Sequence, residues 1–568
     1  MQPAHQPIHR LRTDQMPSRG VSRHVAISEV PARTHRRPDM TSRLPYEILS
    51  NVFQPLDTRS LVNSGQVSRR WRTAIESSST HGYDIALAAA GLHIGPPSRL
   101  LSSRRLRIIQ DYERAWRVFP LGSCITIPKL PGDSLCVRAS GNVVAQAILG
   151  ERILSITRFF SLRLQVDGPP STATYKMEES FDNFWVDAAQ DLLVLGELFH
   201  QPQAGENILQ LHIKCLSTAG AHRDTAVHSK SFTWTPFPSA EDRSHDVAIA
   251  GDHILIMCSE HGRRFEGRSS FMVWNWRVGE TRLLLLVNEP AKCNFLDTHH
   301  VLVMDEFSGG HQILVYDLFT SRNAWTTERD ALYCCRFILA PPDGDISWEI
   351  GVRTIASSTA FHTWDNSSVD NRYLPDSLIR LVVQDEDLCL DDEEDPVFRM
   401  IEFTISTSSL MRLVLSAPSP GHTYEWNKWG PGSTHVVDKE GMWCDEFAMA
   451  GTRTFHLERT DRKMYLHIRD FDRKRVQERI AGTSSADSDA GLQRSSILHE
   501  LSPQSIRTAR PLPHLYRKVR VPQLDHIKDP DYCNVLATED AVILYRFSSV
   551  RQQDRFIIVL PLRSSLPE

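Results

Sequence analysis

The chain has 568 residues, of which 41% are hydrophobic and 23% are charged, and its formal net charge at pH 7 is −5. This length exceeds one ordinary domain, so we expect at least two folded units, and the composition is typical of a soluble globular protein. A net charge this small for the length argues against a surface dedicated to nucleic acid or to a membrane.

The first segment, residues 1–42, contains seven Arg, four His and five Pro but only three acidic residues. Such a segment cannot bury enough apolar surface to offset the entropy lost on ordering, so we predict a disordered basic tail. A mitochondrial transit peptide would also be rich in Arg but would rarely carry acids and prolines. The RTHRRP run is similar to a nuclear localisation signal, which remains an alternative.

A short helix is predicted to follow, with apolar residues at the three-and-four spacing of one wide helical stripe. Pro45 fits its first turn, where a missing N–H costs nothing. Pro55 is expected to end it, because the proline ring clashes with the carbonyl four residues back. The stripe consists of Ile48, Leu49, Val52, Phe53 and Leu56.

Two further short helices are predicted in the next 20 or so residues. The first covers 57–63, where Asp57 or Thr58 can accept free backbone N–H groups. Gly65 is expected to break the chain before the second helix, over 66–75. The buried side of that helix would hold Val67, Trp71 and Ile75.

Three helices in about 35 residues are fewer than one self-sufficient core usually needs. We therefore expect apolar surface to be left over for a neighbour. On spacing alone, a small helical cap on the following domain is an equal alternative.

Segment 43–80 resembles an F-box, the motif by which substrate receptors join the SCF-type cullin–RING ubiquitin ligase, as in fungal F-box proteins. The resemblance rests on LPYEIL at 44–49, VF at 52–53 and VSRRWR at 67–72, and it departs from the usual pattern at 59–60. It implies that the first two helices face the ligase's adaptor subunit and that Val67 and Trp71 close the core behind them. The residues it assigns to this role are Leu44, Pro45, Ile48, Leu49, Val52, Phe53, Leu56, Leu61, Val67 and Trp71.

Residues 81–119 are predicted to form a helical linker, with one short helix ending at Gly91. An Arg-rich stretch over 102–119 has helical spacing of its apolar and aromatic residues. Contact with nucleic acid is one interpretation of its charge. Because Asp111 and Glu113 interrupt that charge and the aromatics fall on packing faces, we favour a packing helix, similar to the linker helix that follows the F-box in many fungal F-box proteins.

From about residue 120 the chain changes to short alternating strands in self-similar units. Each unit has small or polar turn residues followed by β-favouring residues, and a second strand often follows within about 10 to 20 residues. Seven such units over 120–563 predict an all-β propeller of six to eight blades, and a β-sandwich with additions is the alternative. The units begin near Ala139, Ala188, Ile249, Leu296, Leu378, Met449 and Ala537.

The propeller is not predicted to be of the WD40 type, since Trp364-Asp365 is a single dipeptide without repeat partners. Closure of the ring should pair the strand near 556–562 with a strand just after residue 120, which removes an exposed edge. The predicted fold class is therefore α+β and multidomain, with a three-helix segment and linker helices before the propeller.

Two insertions interrupt the strand pattern. Residues 385–395 contain eight acids in eleven positions, which predicts a solvated loop, with an acidic lure for a basic substrate as the alternative. Residues 482–510 are Ser-rich and weakly hydrophobic, which predicts disorder and leaves phosphorylation open.

No catalytic or cofactor motif is found in the sequence: it has no phosphate loop, dinucleotide fingerprint or HExxH helix. The ten cysteines include no C-x-x-C pair, so we predict no metal. His222-Arg223-Asp224 spells a kinase tripeptide without its other motifs, and chance is the better account. We predict no enzyme and no cofactor. An active site in the propeller funnel would instead appear as polar and charged residues converging on the central channel.

A protein target would be held by loops on one propeller face. The strongest candidate is YEWNKWGPG at 424–432, because Tyr and Trp are enriched at binding hot spots. The alternative is a turn between blades whose aromatics pack inward. The candidate residues are Tyr424, Trp426, Lys428 and Trp429.

The sequence thus predicts a substrate receptor that binds the SCF adaptor, and through it the cullin–RING ligase, and recruits an unknown protein substrate for ubiquitination. No nucleic acid or membrane partner is expected. Because neither a signal peptide nor an apolar run of about 20 residues is found, we expect the protein in the cytoplasm, the nucleus or both. The alternative function is a scaffold that binds the adaptor or another helical partner without promoting ubiquitination.

Overall fold

A computed structural model gives the fold of the chain. The predicted basic tail (1–42), nearly all of the acidic segment (385–395) and the Ser-rich insert (482–510) lie outside the residues that it describes. The described residues are 44–89, 101–118, 124–130, 135–148, 150–159, 169–201, 206–234, 243–260, 269–287, 291–307, 310–319, 326–327, 333–339, 352–357, 378–385, 399–440, 447–460, 463–472, 514–525, 533–538, 540–546 and 556–561.

Five helices precede the first strand in the described chain. As predicted, the first ends just before Pro55, and Asp57 caps the second by accepting the backbone N–H of Ser60 at 2.7 Å. The helices are α1 (Tyr46–Phe53), α2 (Thr58–Val67), α3 (Arg69–Ser77), α4 (Ser79–Ala89) and α5 (Ser102–Val118).

The predicted break at Gly65 is wrong, because α2 continues through this residue to Val67. A glycine inside a helix costs only about 0.5–1 kcal/mol, so it does not by itself end one. The break lies at Ser68, whose backbone is extended and whose Oγ accepts the N–H of Trp71 at 3.2 Å. Ser is a strong N-cap residue, so the capping signal outweighs the glycine.

The strands form seven four-stranded blades of a β-propeller, two of which gain a fifth strand. Blade 1 has β2 (Leu135–Ser140), β3 (Val143–Ile148), β4 (Ile153–Arg158) and β5 (Ser171–Lys176). Blade 2 has β6 (Asn183–Asp187), β7 (Leu192–Gln201), β8 (Glu206–Cys215) and β9 (Ser229–Trp234). Blade 3 has β10 (Arg243–Ala250), β11 (His253–Glu260), β12 (Ser269–Asn275), β13 (Glu280–Val287) and the added β17 (Thr326–Thr327).

The remaining four blades follow the same chain order. Blade 4 has β14 (Lys292–Phe295), β15 (His300–Phe307), β16 (Gly310–Asp317), β18 (Cys335–Ile338) and the added β22 (His422–Tyr424). Blade 5 has β19 (Val352–Ser357), β20 (Leu378–Asp385), β21 (Arg399–Ser406) and β23 (Thr434–Glu440), with helices α6 (Thr407–Leu415) and α7 (Trp426–Ser433) inserted before its last strand. Blade 6 has β24 (Phe447–Ala450), β25 (Arg453–Thr460), β26 (Lys463–Asp470) and β27 (Leu515–Arg520), followed by a 3₁₀ turn (Pro522–Leu524). Blade 7 has β28 (Cys533–Ala537), β29 (Ala541–Arg546), β30 (Phe556–Pro561) and β1 (Ile125–Thr126).

The two ends of the propeller sequence meet in blade 7, as predicted. The short strand β1 pairs antiparallel with β30, with Ile125 opposite Val559. Ile127 extends the pairing by donating its backbone N–H to Ile557 O at 3.0 Å. The ring is therefore closed by its earliest strand, which covers the middle of the outer edge of the final strand, residues 557–559.

A recurring hairpin turn explains the self-similarity of the sequence. The turn between the two innermost strands of blades 1, 2, 3 and 6 contains a residue with positive φ: Gly141 (51°), Asp191 (54°), Gly251 (58°) and Gly451 (56°). Gly and Asp tolerate this left-handed conformation, which the two-residue turns of blades 1, 3 and 6 require and which Asp191 adopts in the four-residue turn of blade 2. The small and polar residues that recur in the sequence are therefore the inner turns of the blades.

Apolar clusters fill six of the seven interfaces between neighbouring blades in the described chain. The interface between blades 5 and 6 differs, since its apolar cluster contains only Leu378 and Phe471, with Met449 packed against them. The ring is therefore not uniformly sealed by apolar packing.

Polar and titratable side chains occupy the facing sides of blades 5 and 6, which we call the polar seam. On blade 5, Arg380 lies opposite Thr404 and Thr404 opposite His435. On blade 6, His456 lies opposite His467. The seam residues are Arg380, Glu402, Thr404 and His435 of blade 5 with His456, His467, Arg469 and Tyr516 of blade 6.

Candidate functional site

The helices α1 to α3 share a small core of their own. Leu49 and Phe53 of α1 are each 1% exposed, and Leu61 and Ile75 are also buried. The indole of Trp71 packs edge-on against Phe53, with ring centroids 5.2 Å apart. One side of the predicted apolar stripe of α1 therefore serves this core.

The same helices also carry large apolar residues that stay 43–67% exposed in the described chain. Ile48 and Val52 lie four residues apart on α1 and so share one side of it, turned away from Leu49 and Phe53. Five of the ten exposed large apolar residues in the described chain fall within 46–67. These five, which we call the apolar face, are Tyr46 (46% exposed), Ile48 (46%), Val52 (55%), Val62 (43%) and Val67 (67%).

The ten residues that the F-box resemblance assigned to the adaptor site therefore separate into three groups. Pro45, Ile48, Val52 and Val67 are exposed, and Leu44, Leu56 and Trp71 are half-buried. Leu49, Phe53 and Leu61 lie in the core. The prediction that Val67 closes that core is wrong, because α2 continues to this residue and turns its side chain outward.

Two members of the apolar face were not predicted. Val62 directly follows the buried Leu61, so it lies about 100° around α2 from the core, and a helical-wheel count could have identified it. Tyr46 was treated only as the variable position of the LPYEIL motif. Its ring lies under the guanidinium of Arg70, whose carbon is 5.0 Å from the ring centroid.

Polar contacts fix the apolar face relative to the rest of the helical segment. Arg70 of α3 donates to the carbonyl of Leu44, which holds the start of α1 against α3. His81 of α4 is buried, and its Nε2 lies 3.2 Å from both Oγ and O of Ser50. These contacts join α1 to α3 and α4 and so fix its position within the helical segment.

Helix α5 joins this segment to the propeller. Its first half packs against α4 through Ile109, and its second half inserts Trp116 between blades 6 and 7. The Trp116 ring lies 5.8 Å from that of Phe455, and the guanidinium of Arg453 covers it at 4.1 Å. Arg453 in turn forms an ion pair with Asp470 at 3.2 Å. The packing interpretation of this Arg-rich helix is therefore confirmed.

The segment proposed for target binding has a different position from the predicted loop. Most of it is helix α7, and Trp426 and Trp429 are buried in the apolar cluster between blades 4 and 5. Trp429 donates its indole N–H to Ile338 O at 2.9 Å. Tyr424 is half-buried in β22, and of the four candidate residues only Lys428 is exposed. The aromatics pack inward, as the alternative interpretation stated.

The central channel of the propeller brings together polar residues from four consecutive inner strands. Cys136, Asn183 and Asp246 occupy equivalent positions, because each lies four residues before the last paired residue of its innermost strand. Lys292 lies three residues before the last paired residue of its own strand. Arg138 joins them by donating to Asn183 Oδ1 at 3.2 Å. We call these five residues the channel ring.

The channel ring lies on the first strand of each of blades 1 to 4, and these innermost strands border the central channel. Burial raises the pKa of the Cys136 thiol, and the charges of Arg138 and Asp246 act on it as well. Cys136 belongs to blade 1 and Asp246 to blade 3, and groups on non-neighbouring blades meet only across the channel. Burial lowers the pKa of Lys292, while Asp246 opposes that effect.

The described residues contain no group of three or more His, Cys, Asp or Glu placed to hold a metal ion. Among the described helices, none is both long and apolar enough to cross a membrane.

Comparison with known proteins identifies one segment. A family model described as F-box-like matches residues 41–80, which include α1, α2 and α3. No curated protein matches the chain. The molecule is therefore an F-box-like helical segment followed by a seven-bladed propeller.

Proposed function

We propose that this protein, with its F-box-like segment at 41–80, is a substrate receptor of an SCF-type cullin–RING ubiquitin ligase, as in fungal F-box proteins. Its apolar face binds the adaptor subunit, and its propeller holds a protein target for ubiquitination. No catalytic role and no cofactor are proposed. The channel ring has the convergent polar residues that an active site in the funnel would need, and we interpret it as a binding site. The protein acts by raising the effective concentration of target lysines near the ligase.

The exposed apolar face carries this proposal. Large apolar side chains clustered on a surface mark an interaction site, whereas single ones are ordinary. Fully burying a Val or Ile side chain from water is worth about 1.5–3 kcal/mol. The four Val and Ile residues of the face are 43–67% exposed, so covering each of them contributes roughly half of that value. The presentation of these residues from short helices suits a partner with its own helical groove.

Co-purification with the adaptor tests the proposal. The variant Ile48→Gln with Val52→Gln removes two side chains of the face, and Gln keeps the helix propensity of α1. We expect at least a tenfold loss of bound adaptor, with an unchanged melting temperature. The matched control is Val278→Gln, an equally exposed apolar residue on blade 3. Equal adaptor recovery by all three proteins would contradict the assignment.

The scaffold alternative makes a separate prediction. Depletion of a receptor should raise the abundance of proteins that bind the propeller, because they are no longer degraded. If adaptor binding depends on Ile48 and Val52 but the abundance of every propeller partner stays constant, the protein is a scaffold.

A further inference from the structure

We propose that the channel ring is the target-binding site of the propeller, and that it takes an acidic segment of the target protein, whose carboxylates pair with Lys292 and Arg138. This inference rests on the proposed receptor function and deepens it by naming the chemistry of the target.

The position of the ring suits a target site. Arg453, at the hairpin end of blade 6, contacts Trp116, so α5 reaches the propeller at the end where the inner hairpins lie. Lys292 is the first residue of β14 and lies at the opposite end of its strand. The channel ring therefore opens away from the helical segment, and a target held there does not compete with the adaptor for space.

The channel ring contains two cationic residues, Lys292 and Arg138, and one acidic residue, Asp246, so its net charge is positive. Asp246 is the acidic member of the ring, and its Oδ1 accepts the indole N–H of Trp185 at 3.0 Å and the backbone N–H of Val247 at 2.8 Å. Within the described residues, the Lys292 side chain makes no hydrogen bond or ion pair, although the residue is half-buried. A partly desolvated ammonium without a close partner is unfavourable, and an added carboxylate relieves that cost.

Arg138 is the second cation of the channel ring. Its guanidinium hydrogen-bonds only neutral oxygens in the described chain, those of Asn183 and of its own neighbour Val137. The ring thus holds two cations against one carboxylate that is already engaged. A narrow channel concentrates the field of its lining charges, so the net positive ring attracts acidic side chains.

An octaglutamate peptide carrying fluorescein is the probe, and its anisotropy is measured with the purified full-length protein. We expect saturable binding that weakens at least tenfold in the Lys292→Gln, Arg138→Gln double variant. Asp246→Asn should change affinity in the opposite direction, tightening binding threefold or more, because it removes a repulsive charge from the same ring. Lys292→Arg should retain binding.

The matched control is a double variant of two exposed cations on blade 6, Lys463→Gln with Arg517→Gln. Weakening by this control as large as that by the ring variant would overturn the proposal, since the peptide would then follow net charge. Absence of saturable binding, or weaker binding by Asp246→Asn, would also overturn it. So would displacement of the peptide by citrate at equal carboxylate concentration, because the ring would then take small anions.

The receptor function is tested separately from the ring. Adaptor co-purification should be unchanged in the Lys292→Gln, Arg138→Gln variant. If the peptide result fails while adaptor binding still depends on Ile48 and Val52, only the ring assignment is lost. If the adaptor result fails while the peptide binds, the ring is an acidic-segment site in a protein of another role.

Discussion

Two neighbouring residues of α1 differ in exposure, because Leu49 belongs to the helical core and Ile48 to the apolar face. Leu49 is 1% exposed and Ile48 is 46% exposed. Both are aliphatic, both belong to the same sequence motif, and the motif alone does not distinguish them. The distinction arises because successive residues of a helix point about 100° apart.

Alanine variants at these two positions should therefore behave differently. Leu49→Ala leaves a cavity in a small core and should destabilise the helical segment by about 2–5 kcal/mol. Ile48→Ala should change the free energy of unfolding by less than about 0.5 kcal/mol, as for ordinary surface substitutions. Hydrogen exchange of the α1 to α3 amides measures both. Similar exchange in the two variants would mean that the two residues are not divided between core and surface in this way.

At the scale of elements, the insertion before the last strand of blade 5 packs against blade 4 and fills the interface between these two blades. Strand β22 pairs parallel with β18 of the preceding blade, and the rings of Phe337 and Tyr424 stack at 5.2 Å. Helix α7 then places Trp426 and Trp429 between the two blades. The segment therefore clasps blade 5 to blade 4.

The polar seam is the element-scale feature with a consequence for pH. His435 packs its ring 4.8 Å from His514 and 5.5 Å from Phe471, and Thr404 lies opposite it on blade 5. Burial lowers the pKa of His435 to about 3, and the positive charges of His514 and Arg469 add to the effect.

A second seam histidine behaves similarly. Burial lowers the pKa of His467 to about 4, with Lys518 and Arg469 adding to the effect and Glu458 opposing it. The His467 Nδ1 lies 2.5 Å from the hydroxyl oxygen of Tyr516, and its ring centroid is 5.4 Å from that of His456. Both lowered groups therefore stay neutral in the folded seam at neutral pH.

The sign of the pH dependence follows from these directions. An unfolded histidine takes up its proton near pH 6.5, whereas His435 stays neutral in the fold until about pH 3. The stabilisation is complete above pH 6.5 and is lost as the pH falls toward 3, at up to about 1.4 kcal/mol per pH unit. In His435→Gln, the fall in the free energy of unfolding between pH 6.5 and pH 4 should be shallower.

The control is His228→Gln, an exposed histidine of the segment before β9. Urea unfolding at half-unit pH steps measures the slope for all three proteins. An unchanged slope in His435→Gln would contradict the account of the seam.

At the scale of the whole molecule, ring closure depends on a few residues that precede blade 1. Ile127 is 2% exposed and packs in the apolar cluster between blades 7 and 1. Ile127→Ala should cost about 2–5 kcal/mol and raise hydrogen exchange first in β30, whose edge β1 covers. Leu101→Ala, at a residue that is 76% exposed, is the control. Loss of protection spread evenly over all seven blades would argue against a local closure.

The sequence predicted the parts of the molecule that depend on near neighbours. The inner hairpin turns, such as those at Gly141 and Gly251, are local signals, and they were sufficient for the propeller and its closure. The clasp was missed because glycines and Pro431 around the tryptophans are typical of a loop, whereas contacts with a distant blade stabilise a helix there.

The same limit applied to the functional sites: local patterns were predicted from the sequence, and arrangements that depend on distant residues were not. The apolar stripe of α1 was recognised, but which members face outward depends on how α2 and α3 pack, so Val67 was misplaced. The channel ring was not predicted, because Asp246 and Lys292 come together only when the inner strands surround one axis.

Closure by the earliest strand sets an order of events during synthesis. About 480 residues separate the end of α3 from the end of β30, so the ribosome needs roughly 25 to 100 s between them at about 5–20 residues per second. Throughout that interval α1 to α3 have been synthesised, but the propeller still lacks the complete strand β30 with which β1 pairs. A nascent chain therefore exposes the apolar face, which is the proposed adaptor-binding surface, long before the propeller is complete. Early binding of the proposed adaptor would shield that face from aggregation.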